Sequence, residues 1–379
     1  MHGTRQTLTQ FNCFSATALL SVKHVHALKL YASVLLNRRM SNTRNRSRQA
    51  SALARLHASV HPSPRPTYGP KRIDNSHIRR ASFLTRFLDH YFPRAVRIDV
   101  AWYTPTIGRK LTQDLDFFIE ATALEEKHLL PALYELREKM WAVDAYPCYG
   151  LWWFVLPGIS GLTGWWEEVV QTRAQKGEVV LDMGCGIGQE IRRVAAINGV
   201  KPSQLYALDV TREIWNLGLS FFGDAGSPPA EFIHADARSH LFGNSLRHKP
   251  ERLYQLSGKV DVILMAMFLD LFHFPDQKEV LNTAVALSKI GTQVIGYSRG
   301  ATTTNAKEGY WDESGTRSMV HDDISMLVLW WDIGKHTNTV WKIETRTVDI
   351  EELGWDRQDV SWMGGPPAMG MCFLATRER

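Results

Sequence analysis

The stretch from Glu178 to Glu190 limits the fold of this chain more than any other part of its sequence. A short apolar, β-branched run ends at Asp182, and three glycines follow at every second position. These glycines are Gly184, Gly186 and Gly188. The pattern predicts a buried strand over 178–182, a glycine turn, and a helix over 188–198. Because glycine lacks a Cβ and a helix start leaves backbone N–H groups free, such a turn is suited to bind a polar ligand.

The spacing of the glycines distinguishes between two kinds of nucleotide site. A dinucleotide-binding loop has the pattern Gly-x-Gly-x-x-Gly, but here the third glycine comes one residue early and Gln189 takes its place. The spacing therefore disfavours a nicotinamide-dependent oxidoreductase. The pattern Asp-x-Gly-x-Gly-x-Gly resembles motif I of class I methyltransferases, which use S-adenosylmethionine (SAM). This resemblance implies a SAM site made of Asp182, Gly184, Cys185, Gly186, Gly188 and Gln189.

Strand and helix patterns alternate through the rest of the chain. Repeated β–α units with apolar strands predict a parallel sheet with helices on both faces. The further strands cover 204–210, 230–235, 259–267 and 292–298, and the helices cover 211–222, 276–289 and 322–333, with a Leu-rich stretch at 239–257. Three late strands are predicted at 339–347, 356–363 and 369–376, the last two joined by a turn at 364–367. The fold class is α/β, and a late antiparallel hairpin resembles the end of the seven-stranded, Rossmann-like sheet of class I methyltransferases.

Acidic residues end the second and third predicted strands as well as the first. In open α/β sheets, ligands lie outside the carboxyl ends of the strands. Asp209 follows the glycine turn at about the 20-residue distance at which an acid meets ribose hydroxyls, and Val210 could cover one face of the adenine. Asp236 could accept from the adenine amino group, and Ala237 could offer its backbone N–H. One such acid alone would as readily cap a helix, but three at consecutive strand ends favour a cofactor site.

The segment after the fourth predicted strand is the candidate catalytic region. Met267 ends that strand and is assigned to the cofactor site, and in this fold the next residues would face both the methyl donor and the acceptor. Asp270 and His273 are three residues apart and share a face if the turn is helical. His273 could then take a proton from a phenol or an amine, and Asp270 could orient its ring. The alternative is that His273 only caps or packs at a helix start, and a carboxylate acceptor needs little help from a base.

The first part of the chain differs from the rest in charge. No Asp or Glu precedes Asp74, and the 12 Lys and Arg before it leave 32 against 39 Asp and Glu in the remainder. We predict a disordered tail or a targeting segment over 1–75, with a mitochondrial transit peptide as one interpretation. The acidic remainder favours a small-molecule acceptor and disfavours nucleic acid, which requires a basic folded surface.

Residues 76–160 are predicted to form a helical cap on a SAM-binding domain at 161–379. A long helical region spans 113–140, with an interruption expected near Pro131. The aromatic segment at 146–157 has two compatible interpretations. Its rings could pack the cap onto the core, or they could form one wall of an apolar substrate pocket.

Cysteine usage and hydropathy exclude several classes of protein. The four cysteines lie far apart, without a Cys-x-x-Cys pair or a secretory signal. This favours reduced thiols in a cytoplasmic protein, or a mitochondrial one if residues 1–75 are a targeting segment, and it supports neither a disulfide framework nor a metal site. No run of 18 apolar residues is present, so no membrane span is expected.

Shorter sequence motifs outside the glycine turn indicate a particular group of class I methyltransferases. They are Tyr146-Pro-Cys, Leu205 to Asp209, Phe268-Leu-Asp-Leu-Phe with Gln277, Ile295-Gly296, and His321-Asp-Asp-Ile-Ser followed by Trp330 and Trp341. From about residue 85 onward the chain resembles fungal secondary-metabolite methyltransferases of the meroterpenoid type. The resemblance implies methyl transfer to a small, largely apolar metabolite, most often at oxygen, and some members of the group esterify a carboxyl group.

The sequence departs from that group at two places. Asp270 stands where the group usually has His, and Leu151–Phe154 stand where it usually has an Arg. Losing an Arg removes a bidentate partner for a carboxylate, so hydroxyl and carboxyl acceptors both stay open. The alternatives are N-methylation and a non-catalytic SAM-binding partner or sensor, and the sequence does not determine the oligomeric state.

Overall fold

The computed structural model describes residues 100–238, 251–301, 319–363 and 368–379. These residues contain a sheet of seven strands in the order β3-β2-β1-β4-β5-β7-β6. The strands are β1 Val180–Met183, β2 Leu205–Asp209, β3 Glu231–His234, β4 Val260–Ala266, β5 Ser288–Gly300, β6 Trp341–Asp349 and β7 Met369–Arg377. Strands β1 to β5 pair in parallel, whereas β7 is antiparallel to both β5 and β6. The predicted seven-stranded α/β fold with an antiparallel C-terminal end is confirmed.

Helices follow most of the parallel strands within the described residues. They are α1 Leu115–Thr122, α2 Glu126–Val143, α3 Pro147–Gly150, α4 Thr172–Gln175, α5 Gln189–Ala195, α6 Arg212–Phe222, α7 Glu251–Gln255, α8 Phe274–Leu287 and α9 Asp323–Thr337. A π-helix at Trp166–Gln171 leads directly into α4. The helices that follow β1, β2 and β4 agree with the sequence prediction within a few residues.

Successive residues of β1 belong to different hydrophobic cores because strand side chains alternate between the faces of a sheet. Leu181 packs in one core with α8 and α9, which contribute Val280 and Trp330 among others. Val180 packs in the other core, with Ile191 of α5 and Trp215 of α6. The sheet is therefore covered on both faces, as predicted.

The N-terminal helices pack against the outer side of α6. Phe118 of α1 and Leu133 of α2 lie in one apolar cluster with Phe222 of α6. The predicted interruption near Pro131 is wrong, because Pro131 lies inside α2 and the break is at Ala123, which is left-handed with φ 54°. Burial of leucines on both sides of the proline stabilises the helix despite its missing N–H.

The strand predicted at 356–363 is also wrong, since Arg357–Met363 form a 3₁₀ helix. Asp359 fixes this turn through buried partners. Its Oδ2 accepts hydrogen bonds from Trp153 Nε1 at 2.8 Å and from the backbone N–H of Asp356 at 3.3 Å, and it lies 3.1 Å from Lys110 Nζ. The antiparallel partner of β7 is accordingly β6, from Trp341↔Arg377 to Asp349↔Met369.

Several sequence predictions fall on other parts of the chain. The tail at 1–75, the first part of the cap at 76–99, most of the Leu-rich stretch and the turn at 364–367 lie outside the described residues. The domain boundaries at 76 and 161 stay predictions.

Candidate cofactor and acceptor site

One cavity of about 320 Å³ lies at the carboxyl ends of the central strands. It is lined by the glycine turn after β1, by the ends of β2, β3, β4 and β5, and by the aromatic segment around α3. Eleven of the thirteen predicted site residues line it: Gly184, Cys185, Gly186, Gln189, Asp209, Val210, Asp236, Ala237, Met267, Asp270 and His273. The position at the strand ends follows the rule for open α/β sheets.

Asp182 and Gly188 do not line the cavity but support the turn that does. Asp182 is buried, and its carboxyl group accepts a hydrogen bond from the backbone N–H of Ile191 in the first turn of α5. Burial, reinforced by the charges of Glu190 and Asp209, raises the pKa of Asp182. Gly188 is the N-cap residue directly before α5 and has φ 78°. A Cβ on it would lie 2.5 Å from the Trp215 ring.

The glycine turn is shaped by contacts that a side chain would block. Gly184 has φ 81°, and a Cβ on it would lie 2.2 Å from the ring of Phe268. Gly186 has φ 53° and donates its N–H to Asp209 Oδ2 at 2.9 Å. Next to this turn, Gln189 Oε1 is buried without a hydrogen-bond partner in the described part of the chain. A ligand with an ammonium group would supply the missing donor.

Asp209 is held at the end of β2 by two backbone donors. Its Oδ1 accepts from Thr211 N–H at 2.8 Å, and its Oδ2 accepts from Gly186 N–H. Burial raises the pKa of Asp209, while these donors act in the opposite direction. Each carboxylate oxygen has a second acceptor position, which suits two vicinal hydroxyls. Val210 follows with 57% of its surface exposed, so an apolar side chain faces open space beside this carboxylate.

Arg238, which no sequence pattern indicated, lies at the rim of the cavity directly after Ala237. Arg238 Nη2 lies 2.7 Å from Asp236 Oδ2, and its Nη1 donates to Asp276 Oδ2 at 3.1 Å. Asp276 in turn lies 3.2 Å from His273 Nδ1. The rim is thus a network of partly exposed polar side chains, in which the partner of His273 is Asp276.

Asp270 and His273 are therefore not the pair that their spacing predicted. The 3₁₀ helix Leu269–Leu271 ends before Phe272, whose backbone is extended (φ −114°, ψ 147°) and directs His273 to the rim. Asp270 stays buried and accepts a hydrogen bond from the backbone N–H of Arg299. Burial raises the pKa of Asp270, and the charge of Arg299 lowers it.

Arg299 and Tyr297 at the end of β5 also line the cavity and were not identified from the sequence. The rule that placed the acids at the ends of β1 to β3 applies equally to this strand, so the signal was present. In the aromatic segment, Trp153 stacks on Trp355 at 4.6 Å between ring centroids and also lines the cavity. The packing interpretation is confirmed, and the substrate-pocket interpretation stays a prediction.

A buried polar network holds the loop that carries Asp270. Gln277 of α8 is fully buried, and its Nε2 donates to the carbonyls of Leu269 at 2.9 Å, Met319 at 3.0 Å and Phe272 at 3.2 Å. Its Oε1 lies 2.8 Å from His321 Nε2. Since the Gln277 amide nitrogen faces carbonyls, His321 Nε2 must carry the proton in this contact. Burial lowers the pKa of His321 to about 4, so the ring is neutral at pH 7.

Replacing Gln277 by Leu is expected to destabilise the protein by about 3 kcal/mol, because it leaves buried carbonyls and the His321 N–H without partners. Urea unfolding of the purified protein measures this change. The matched control is Gln255→Leu on an exposed turn of α7, for which a change within about 0.5 kcal/mol is expected. Equal effects of the two substitutions would contradict the network.

Glu190 gives the fold a predictable pH dependence. Burial raises its pKa to about 7, the charge of Arg193 lowers it, and that of Asp114 raises it. Because the pKa of Glu190 is higher in the folded than in the unfolded protein, the protonated side chain stabilises the fold at low pH. This stabilisation is lost as the pH rises through the folded pKa of about 7. We expect wild type to lose roughly 2–3 kcal/mol more than Glu190→Gln between pH 5 and pH 8. Denaturant titrations at both pH values measure the difference, and identical slopes for the two proteins would refute this assignment.

Two further findings concern the described residues as a whole. They contain no group of three or more His, Cys, Asp or Glu side chains arranged to hold a metal ion. Nor is any of their helices both long enough and apolar enough to span a bilayer.

Comparisons with known proteins find methyltransferases. The model of the meroterpenoid methyltransferase N-terminal domain matches residues 102–155, which include most of the aromatic segment. The O-methyltransferase atr3 of Stereocaulon alpinum is 28% identical over 213 residues, which cover 56% of this chain and 58% of that protein. The asnovolin E/chermesin D methyltransferase nvfJ of Aspergillus novofumigatus is 26% identical over 259 residues, which cover 67% and 85%. The chain thus spans less than two thirds of the length of the first of these relatives.

Solved structures similar to the chain include the 1,6-didemethyltoxoflavin-N1-methyltransferase of Burkholderia thailandensis. The TM-score is 0.35 at 14% identity, and the match covers 68% of this chain and 92% of that one. The chain has the seven-stranded sheet that its resemblance to class I methyltransferases predicts, and in sequence it is similar to fungal secondary-metabolite methyltransferases of the meroterpenoid type.

Proposed function

We propose that this chain transfers a methyl group from SAM to a small, largely apolar secondary metabolite, at an oxygen atom of a hydroxyl or carboxyl group. The observation that carries the proposal is a single cavity that joins the glycine turn and Asp209 to an aromatic wall. Its volume of about 320 Å³ falls at the lower end of small-molecule sites.

The residues along the cavity fit SAM part by part. The bend at Gly184 and the unpartnered Gln189 Oε1 suit the amino-acid end. Asp209 suits the two ribose hydroxyls, and Asp236 with the backbone N–H of Ala237 suits the adenine. When bound, SAM supplies an electrophilic methyl group on a sulfonium sulfur. The chain then has to align the acceptor with that methyl group and exclude water, for which the buried aromatic segment is suited.

The names of the relatives support methyl transfer to a fungal metabolite. One relative is named an O-methyltransferase and another is named for asnovolin E and chermesin D. We take from them the reaction and the class of acceptor, not a particular compound. Methylation at nitrogen is the alternative reaction, and a non-catalytic SAM sensor is the alternative from another class.

Incubation with methyl-labelled SAM and a solvent extract of the source organism tests the proposal. We expect one labelled, extractable product, and Asp209→Ala should abolish it. Treatment with base releases the label from a methyl ester but not from a methyl ether or an N-methyl group, and fragmentation by mass spectrometry separates the latter two. SAM binding without any labelled product would favour the sensor, and absence of SAM binding would exclude both.

A further inference from the structure

Two buried side chains of opposite charge line the cavity in addition to the residues assigned to SAM. They are Asp270, which is 7% exposed, and Arg299, which is 3% exposed. They come from adjacent strand ends, since Asp270 follows β4 and Arg299 belongs to β5. Burying two charges beside a ligand cavity costs free energy, which a structural role alone does not require.

The hydrogen bonds of Asp270 are incomplete. The backbone N–H of Arg299 donates to its carboxyl group, but Oδ1 is buried with no partner in the described residues. The sequence predicted His273 as the partner of Asp270, but its imidazole contacts Asp276 at the rim instead. A buried carboxylate oxygen without a donor is unfavourable, so the missing donor is expected from a molecule in the cavity.

The surroundings of Asp270 are aromatic. Phe268 and Phe272 flank it in the chain, with ring centroids 5.1 Å apart, and both line the cavity. Tyr149 and Phe154 line the same cavity, with ring centroids 6.5 Å apart. Such a lining favours an aromatic or otherwise apolar acceptor with few polar groups.

We propose that Asp270 determines which acceptors bind, by accepting a hydrogen bond from an acceptor hydroxyl and excluding a carboxylate. The inference rests on the proposed function and narrows it to hydroxyl acceptors. A phenol or enol hydroxyl supplies the donor that Oδ1 lacks. A carboxylate supplies none and brings a second negative charge near Asp270, while Arg299 is already compensated in part by Asp270 in the same cavity.

Calorimetry on the full chain saturated with S-adenosylhomocysteine (SAH) tests the proposal with two matched probes, 2-naphthol and 2-naphthoate. Wild type should bind 2-naphthol at least tenfold more tightly than 2-naphthoate. Asp270→Asn should reduce this preference at least fivefold and leave the SAH affinity within twofold of wild type. The control is Glu344→Gln on β6, which removes an exposed carboxylate that does not line the cavity and should change the preference less than twofold.

The outcomes separate the two proposals. A wild-type preference for 2-naphthoate, binding of neither probe, or an unchanged preference in Asp270→Asn would overturn the role of Asp270 while SAH binding upholds the cofactor site. Failure of wild type to bind SAH would overturn the proposed function and this inference with it. If Asp270→Asn does not fold, the wild-type preference alone decides.

Discussion

Replacing Asp209 by Ala is expected to weaken SAM binding by about 100-fold, from the micromolar range typical of enzyme substrates. Two hydrogen bonds from ribose hydroxyls to one carboxylate contribute about 3 kcal/mol together, which corresponds to that factor. The substitution also releases the N–H groups of Gly186 and Thr211, which Asp209 now holds at 2.9 Å and 2.8 Å. Calorimetric titration with SAM measures the change.

Urea unfolding of Asp209→Ala should first confirm that the variant is folded, because the N–H groups of Gly186 and Thr211 lose their acceptor. Asp332→Ala on α9 is the matched control, because Asp332 does not line the cavity, and it should leave SAM affinity unchanged within twofold. If Asp209→Ala bound SAM as tightly as wild type, the assignment of the ribose site would be wrong.

Replacing Arg193 by Ala is expected to destabilise the protein by about 3–5 kcal/mol. Arg193 on α5 forms a two-pronged ion pair with Asp114 at the start of α1, with Nη1 2.9 Å from Oδ1 and Nη2 in contact with Oδ2. Its guanidinium also lies 3.8 Å from the centroid of the Phe117 ring. Removing it leaves the buried Asp114 without its countercharge, and this pair joins the N-terminal helices to the sheet domain.

Guanidinium unfolding of wild type and Arg193→Ala measures this effect. Arg357→Ala, which breaks the exposed pair with Asp349, is the control and should leave the unfolding midpoint close to that of wild type. The double variant Arg193→Leu with Asp114→Leu should recover most of the loss, because it removes both buried charges. A loss below 1 kcal/mol in Arg193→Ala would show that the pair does not hold the N-terminal helices on α5.

The sheet and the residues that line the cavity at the ends of β1, β2 and β3 could be predicted because their sequence signals are local. The glycine turn, Asp209 and Asp236 each follow directly from a strand, and parallel strands bring their carboxyl ends to one edge. Asp182 shows the limit of this reasoning. The same sequence pattern is compatible with a carboxyl group that faces the ligand and with one that accepts a hydrogen bond from the first turn of α5. The structure shows the second arrangement.

The part of the cavity around Asp270 was harder to predict, because its geometry depends on contacts between residues that are far apart in the sequence. Whether Asp270 meets His273 depends on Phe272 leaving the helical conformation, which no spacing rule specifies. The 3₁₀ helix at 357–363 is set by Asp359 and its partners Lys110 and Trp153, more than 200 residues earlier. Arg299 could have been predicted by applying the strand-end rule to β5 as well.

A crystal structure of the protein with SAH is the most direct test of the central claim, that one cleft at the strand ends binds the methyl donor. We expect both ribose hydroxyls within hydrogen-bond distance of Asp209, the adenine beside Val210 and Asp236, and the amino-acid end over the turn at Gly184. A nucleoside bound elsewhere, with Asp209 still held only by Gly186 and Thr211, would contradict it.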